Sequence, residues 1–265
     1  MPAYAVLGAT GTVGQSLLNF ILQSPTNGIH AYCRSSQKLK NLSPSIATNK
    51  QVKIFDGSLQ DTSLLANRLQ GTNAAFLAIA EVKNKPGCSI AQETAHAVVS
   101  ALSLLRKQNG DQKLPRLVVL SSASLDHSLM SPTPAFILNI LYRANSHIYD
   151  DLRAAENFLL SKENESLVSA TFVRPGALSH DTQKGHYLSL EKAEMPLSFL
   201  DLAAGMLEIA EDEEEKWNKK GVAVSPTAKD VPIPWVAPFF LLTGLLFHFF
   251  SRGRIDFWGD LVFVW

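Results

Sequence analysis

The run Gly8-Ala9-Thr10-Gly11-Thr12-Val13-Gly14 constrains this chain more than any other feature. It stands between a short apolar run, residues 4–7, and a helix-like stretch, residues 15–23. A bound diphosphate needs backbone N–H donors, the positive end of a helix dipole and no side chain barring its approach. Gly8 is expected to make the tight turn, Gly11 to admit the ligand to the backbone and Gly14 to let the helix settle on the sheet. Thr10, Thr12 and Val13 complete the binding loop. The spacing, G-x-x-G-x-x-G, is one residue longer in its first gap than the dinucleotide fingerprint G-x-G-x-x-G.

The hydrophobic pattern beyond the turn supports that reading. Residues 4–7, 29–33, 52–55, 74–80, 117–120 and 171–173 are short and mostly apolar without polar alternation, as strands buried on both faces of a parallel sheet should be. Helix-like stretches at 15–23, 61–69, 89–107 and 150–161 alternate with them. The pattern predicts an α/β fold: a Rossmann-like, doubly wound parallel sheet with right-handed crossovers. At 265 residues, the chain divides into a dinucleotide-binding domain, 1–175, and a small C-terminal substrate-cap region, 176–265. The latter is expected to hold a helix at 198–210, a charged, solvated connection at 211–220, a strand at 221–224 and an apolar C-terminal helix at 236–250.

Charge and cysteine content exclude other classes. Lys and Arg total 24 against 24 Asp and Glu, so no basic excess points to nucleic acid. Cys33 and Cys88 form no metal-ligand spacing, so neither a disulfide framework nor a metal site is expected. The opening Met-Pro-Ala-Tyr-Ala-Val-Leu-Gly has no basic n-region and no long apolar stretch, which leads to the expectation of a cytoplasmic protein.

The end of the second strand bears on which dinucleotide fits. A carboxylate there would accept hydrogen bonds from a ribose 2′-hydroxyl, whereas a cation would hold a 2′-phosphate. The sequence reads Ala31-Tyr32-Cys33-Arg34-Ser35-Ser36-Gln37-Lys38, with no acid, and Arg34 and Lys38 would clamp the phosphate of NADP(H). The alternative is two solvated surface cations. Further on, Ser58 and Leu59 would border the adenine, and Ala78, Ile79 and Ala80 would pack beneath the ribose.

Several motifs match one family in order: the glycine turn, Arg34 with Lys38, residues 118–122, Val173-Arg174-Pro175-Gly176, and Ser198-Phe199-Leu200-Asp201-Leu202-Ala203. On these the chain resembles the short-chain dehydrogenase/reductase superfamily in its atypical, NmrA-like branch. On Ile29-His30-Ala31-Tyr32-Cys33-Arg34, Leu120-Ser121-Ser122-Ala123-Ser124-Leu125, Ile148-Tyr149-Asp150-Asp151-Leu152, Gly176–His180 and Gly244-Leu245-Leu246-Phe247-His248-Phe249 it is similar to the fungal averufin oxidase A family. The resemblance extends to about residue 250; the end, 252–265, departs from the pattern. It implies an NADP-linked oxidoreductase of secondary metabolism acting on an aromatic polyketide of anthraquinone or xanthone type.

The superfamily pairs a Tyr acid/base with a Lys four residues on, which lowers the phenol pKa, and adds a Ser that orients the substrate carbonyl. Tyr149 and Arg153 have this spacing, with Arg in place of Lys. A second register, counted back from Glu156, puts Ile148 and Leu152 at the two positions and leaves the pair missing. Ser122 is the candidate orienting hydroxyl, with Ser124 close behind, against a reading in which these serines cap a strand end. Among His147, His180 and His186, His180 is the best candidate proton relay. Arg174 is expected to brace its turn, and Asp201 to favour the dipole of its helix.

Residues 231–250 contain no Asp, Glu, Lys or Arg. Three placements compete: a helix buried against the sheet or a lipophilic pocket, an interfacial anchor on a membrane surface helped by Arg252, Arg254 and Trp258, and a spanning helix. The leading functional expectation is the NADP(H)-dependent oxidoreductase; its rival is a non-catalytic NADP-sensing regulatory or scaffold protein.

Overall fold

In the computed structural model, which describes residues 1–110, 112–131, 133–232 and 237–250, the glycine turn joins strand β1 (Ala3–Leu7) to helix α1 (Thr12–Ile21). The chain continues through β2 (Gly28–Cys33), α2 (Ser36–Leu42), α3 (Pro44–Ala47), β3 (Val52–Asp56), α4 (Thr62–Leu69), β4 (Ala74–Leu77), α5 (Ile90–Asn109) and β5 (Arg116–Leu120). A 3-10 turn (Ala123–Leu125) then leads to α6 (Ala135–Ala144), α7 (Ser146–Leu159) and β6 (Ala170–Val173). Next come β7 (Leu178–Ser179), β8 (His186–Ser189), β9 (Leu197–Ser198), α8 (Phe199–Glu211), β10 (Gly221–Pro226) and α9 (Ala237–Phe249).

The main sheet runs β3-β2-β1-β4-β5-β6-β10-β8, parallel except for β8. Its strand order reverses between β1 and β4, the switch point at which α/β sheets open a crevice outside their carboxyl ends. Alternation along β1 explains the two layers. Tyr4 and Val6 face one side with Val13, Leu17, Leu18 and Ile21 of α1 and Leu202 and Met206 of α8. Ala5 and Leu7 face the other with Leu65, Val98, Leu102 and Leu152 from α4, α5 and α7. Burial on both faces is what the unalternating apolar runs of β4 and β6 require, and all four residues of each are buried.

The expected cap is absorbed in part into this sheet. β10 pairs with β6 and carries β8 on its far edge, and α8 packs beside α1; β7 and β9 form a separate two-stranded ribbon. The strand expected over 74–80 ends at Leu77, so Ala78, Ile79 and Ala80 belong to the segment leaving the sheet. The charged connection is also more than solvated. Glu211 accepts the Tyr4 hydroxyl at 2.9 Å, and Arg116 donates to the Ala210 carbonyl at 3.2 Å, closing the end of α8. Helix α6, Ala-Phe-Ile-Leu-Asn-Ile-Leu-Tyr-Arg-Ala, has no counterpart among the expected elements, although Asn139 and Arg143, four apart, mark a polar face on it.

The apolar tail forms α9, which packs on α6 rather than on the sheet. No helix of the described residues is long and apolar enough to cross a membrane, which corrects the spanning placement. Residue 236 and the flanking Arg252, Arg254 and Trp258 lie outside the described residues.

Two buried polar side chains cap each other's helices across the fold. Asp151 of α7 accepts the Ala91 and Gln92 amides at 2.9 and 3.0 Å, taking the place of a local cap on α5, whose Ser89 makes no side-chain cap bond. Asn84, just before α5, accepts the His147 amide of α7 at 2.8 Å and donates to the Gly244 carbonyl of α9 at 3.1 Å. Orphan helix amides need such partners, and a carboxylate also suits the positive end of the dipole. Asp151→Ala is expected to lower stability by about 2–3 kcal/mol, because a buried helix end loses charge-assisted hydrogen bonds; urea unfolding of the two proteins measures this.

Candidate functional site

The glycine turn is shaped by close backbone contacts. Gly8 adopts φ +91°, and its amide and that of Ala9 both donate to the Tyr32 carbonyl at 3.2 Å. Gly11 returns its amide to the Gly8 carbonyl at 2.9 Å. A Cβ on Gly8 would strike the Ala78 carbonyl, and one on Gly14 would strike the Gly8 carbonyl. One on Gly11 would meet only the Gly8 oxygen, at 3.4 Å. Gly8 and Gly14 are therefore small for the fold's own sake, whereas the absence of a side chain at Gly11 leaves the approach to the helix open.

That approach is electropositive. Gly11 caps α1 without a side-chain hydrogen bond, and no acidic residue stands in the first turn. The first-turn amides of Thr12 and Val13, which have no acceptor within the helix, and the positive end of its dipole thus suit an anion. Gln15 holds the loop from behind: its Nε2 donates to the Ala9 carbonyl at 2.5 Å, and the Ser43 hydroxyl donates to its Oε1. Thr10 is half-buried on the same turn.

Arg34 and Lys38 are both exposed, Arg34 just past the end of β2 and Lys38 in the first turn of α2. The Ser35 hydroxyl accepts the Lys38 amide at 3.2 Å and starts that helix. Asp56, at the end of β3, accepts the Ser36 hydroxyl at 2.9 Å, and this bond holds its carboxyl below the usual carboxylate range. Ser58 is exposed and Leu59 half-buried beyond it. Tyr32 is assigned no role by the sequence, yet its carbonyl holds the glycine turn while its hydroxyl donates to the Ser58 carbonyl at 2.7 Å. Ala78 is buried against Gly8, Ile79 half-buried and Ala80 exposed. The turn and the exits of β2, β3 and β4 thus come together at the carboxyl ends of neighbouring strands, beside the point where the strand order reverses.

Farther along, an ion network joins β5, β6 and α7. Arg174 donates to Glu156 at 2.7 Å and to Asp126 at 2.8 Å, and the Ser121 hydroxyl donates to Glu156 at 2.5 Å. Burial opposes ionisation of Asp126, but hydrogen bonds from Ser128 and the charge of Arg174 hold its carboxyl below the usual range. Arg174 therefore braces this edge of the site. Ser122 is half-buried and accepts the Ser124 amide at 3.3 Å, capping the 3-10 turn. Ile79, Ser121, Leu152 and Glu156 share one small crevice, so the register counted from Glu156 puts an apolar Leu152 beside the network.

The other candidates are placed apart. Tyr149 is buried, its ring 5.8 Å from that of Tyr142. Arg153 is exposed, and its Nη1 lies 3.4 Å from the Tyr142 hydroxyl. Both members of the expected pair thus pack on a tyrosine of α6. His180 is exposed and stacks at 4.8 Å on Phe199; His186 lies 2.9 Å from Glu208; the His147 amide is held by Asn84. Asp201 does more than complement its helix: its carboxylate also accepts the Lys184 and Gly185 amides, at 3.0 and 2.8 Å. No cluster of three His, Cys, Asp or Glu that could hold a metal occurs among the described residues.

Comparison with known proteins shows the family of the chain and the likeness of its fold. A family described as NAD(P)H-binding matches residues 8–213. The oxidoreductase aflX of Aspergillus parasiticus is 48% identical over 98% of this chain and 96% of its own. The oxidoreductase ordB of Dothistroma septosporum is 47% identical over 94% of this chain and 92% of its own. In fold, the chain is similar to a short-chain dehydrogenase/reductase from Veillonella parvula solved in complex with NADP. That likeness has a TM-score of 0.67 at 19% identity, over 88% of this chain and 99% of the other.

The two glycines should respond differently to a methyl group. Gly14→Ala is expected to destabilise the fold by about 2–3 kcal/mol through overpacking, whereas Gly11→Ala leaves the melting temperature within about 2 °C and weakens dinucleotide binding. Thermal unfolding alongside a binding titration checks both.

Proposed function

The chain belongs to the NAD(P)H-binding family, and from that premise we propose that this oxidoreductase takes NADP(H) and reduces or oxidises a lipophilic aromatic carbonyl compound of polyketide type. The observation that carries the cofactor choice is the pair of exposed cations, Arg34 and Lys38, at the exit of β2. A 2′-phosphate needs a guanidinium or ammonium at that point, while a 2′-hydroxyl needs a free carboxylate acceptor. The nearby Asp56 is already engaged by Ser36. The amides of Thr12 and Val13 would receive the diphosphate past the bare Cα of Gly11, Ser58 and Leu59 would border the adenine, and Ala78, Ile79 and Ala80 would lie against the ribose. When bound, NADPH supplies a hydride.

On the substrate side, Ser122 would donate to the carbonyl oxygen from the end of β5, and the Glu156–Arg174–Asp126 network would hold the floor on which that strand end rests. A quinone-like carbonyl suits such a site. Its reduced oxygen is a phenolate, whose conjugate acid has a pKa of about 10, so a hydrogen-bond donor suffices where an alkoxide would need a strong acid. This reading places Arg153 and His180, both exposed, outside the chemistry, and makes Tyr149 a support for α6. The relatives named oxidoreductases favour turnover over cofactor sensing.

Calorimetry and steady-state kinetics test the reading together. Replacing Arg34 and Lys38 with Gln should weaken NADPH binding about 10- to 100-fold, the size of a lost charge-assisted hydrogen bond, and leave NADH binding unchanged. With an anthraquinone panel, Ser122→Ala should lower kcat about 100-fold, as loss of one oxyanion donor does. Arg153→Met and His180→Ala should leave it nearly as it was. Equal losses for both dinucleotides, or a larger loss from His180→Ala than from Ser122→Ala, would contradict the assignment.

A further inference from the structure

Helix α9 is apolar on every side, yet among its residues Gly244 alone is buried. A helix of this kind needs cover around most of its circumference. α6 and the start of α7 cover one side: the Gly244 backbone lies so close to the Ala144 carbonyl of α6 that a Cβ would collide with it, and the Ser146 hydroxyl of α7 lies 2.8 Å from His248 Nδ1. Away from that seam, Phe136 and Ile140 of α6 and Phe240, Leu242, Leu246 and Phe249 of α9 stay 42–66% exposed. So much large apolar surface on two adjoining helices marks a contact face.

Length and charge select the occupant. Thirteen residues of helix span about 20 Å, short of a hydrocarbon core of about 30 Å, so α9 can lie on a bilayer but cannot cross it. Residues 127–149 and 231–250, which contain both helices, carry Arg143 and no Asp, Glu or Lys. The Arg143 guanidinium stands 5.9 Å over the Phe249 ring, at the edge of the apolar face. Asn84 ties the neighbouring loop to both helices through the carbonyls of Arg143 and Gly244, and that loop exposes Val82 and Lys85. Glu81 in the same loop spends its carboxylate on the amides of Val82 and Lys83. Phenylalanines edged by Arg143 and Lys85 fit the acyl–headgroup boundary of an anionic bilayer, and Asp150, the acid next in sequence, is engaged by the Tyr142 hydroxyl of α6 at 3.0 Å.

We propose that α6 and α9 form one docking face for an anionic lipid surface, with α9 lying in the plane of the headgroups and Arg143 and Lys85 meeting phosphates. The face adjoins the segments that follow β4 and β5, through Asn84 and through the packing of α6 on the 3-10 turn, so a chain docked this way would hold those strand ends near lipid-dissolved compounds. The docking itself does not depend on the cofactor or substrate assignment.

Vesicle flotation of the full chain tests it, using phosphatidylcholine vesicles with and without phosphatidylserine. The expected result is binding to the phosphatidylserine vesicles that weakens with salt and falls about tenfold or more in the Phe240→Ser/Leu242→Ser variant. Arg143→Gln should lower binding about threefold, the share of one cation near the surface. Because these side chains are exposed, the variants should keep the melting temperature of the parent, which is measured alongside. Absence of flotation with either vesicle, or flotation unchanged in the double variant, would overturn the proposal. So would light scattering that shows a dimer converted to monomer by the double variant, since the face would then belong to a second copy.

Discussion

The architecture depends on how closely backbone atoms crowd around Gly8. Its amide is held by β2 through the Tyr32 carbonyl, its Cα faces the Ala78 carbonyl at the exit of β4, and its own carbonyl takes the Gly11 amide and abuts Gly14 of α1. Three strands and the first helix therefore meet at one residue whose φ of +91° no L side chain adopts without strain. The meeting point is also where the strand order reverses, so the packing that closes the fold leaves the first amides of α1 facing the crevice. In this chain the requirement for tight packing and the requirement for a bare binding loop fall on different glycines of one heptapeptide.

A second tier of polar contacts fixes the rim. Buried charges are costly unless paired and hydrogen-bonded. Glu156 satisfies that condition with Arg174 and Ser121, and Arg174 in turn reaches Asp126. The network ties the ends of β5 and β6 to the middle of α7. The reciprocal caps of Asp151 and Asn84 tie the start of α7 to the start of α5. α7 is thus held at two levels, and its rotation about its own axis is set. That rotation buries Tyr149 and exposes Arg153, although the two stand four residues apart.

Sequence reveals what repeats locally and hides what depends on distant partners. The strands beside the glycine turn are legible because burial on both faces leaves an uninterrupted apolar run, and α4 and α5 because polar residues mark their outer faces. α6 is not, although Asn139 and Arg143 mark one polar face: most of its other residues are apolar, and Phe136 and Ile140 are left exposed instead of joining the core. The chemical roles of Glu156 and Arg174, 18 positions apart, and of Asp151 and Ala91, 60 apart, arise only when the chain is folded. Tyr32 shows the same limit: it reads as one more strand residue, and its double grip on two loops comes from the register of β1, β2 and β3.

Amide chemical shifts of the 15N-labelled chain during addition of NADPH test the central claim most directly, namely that the first turn of α1 receives a diphosphate. Large, saturable changes are expected at Thr12 and Val13, with the amides of Gly8 and Ala9, already bonded to Tyr32, and of Gly11, already bonded to Gly8, moving less. Shifts that leave residues 12 and 13 in place while others move, or no change at saturating NADPH and NADH, would contradict it.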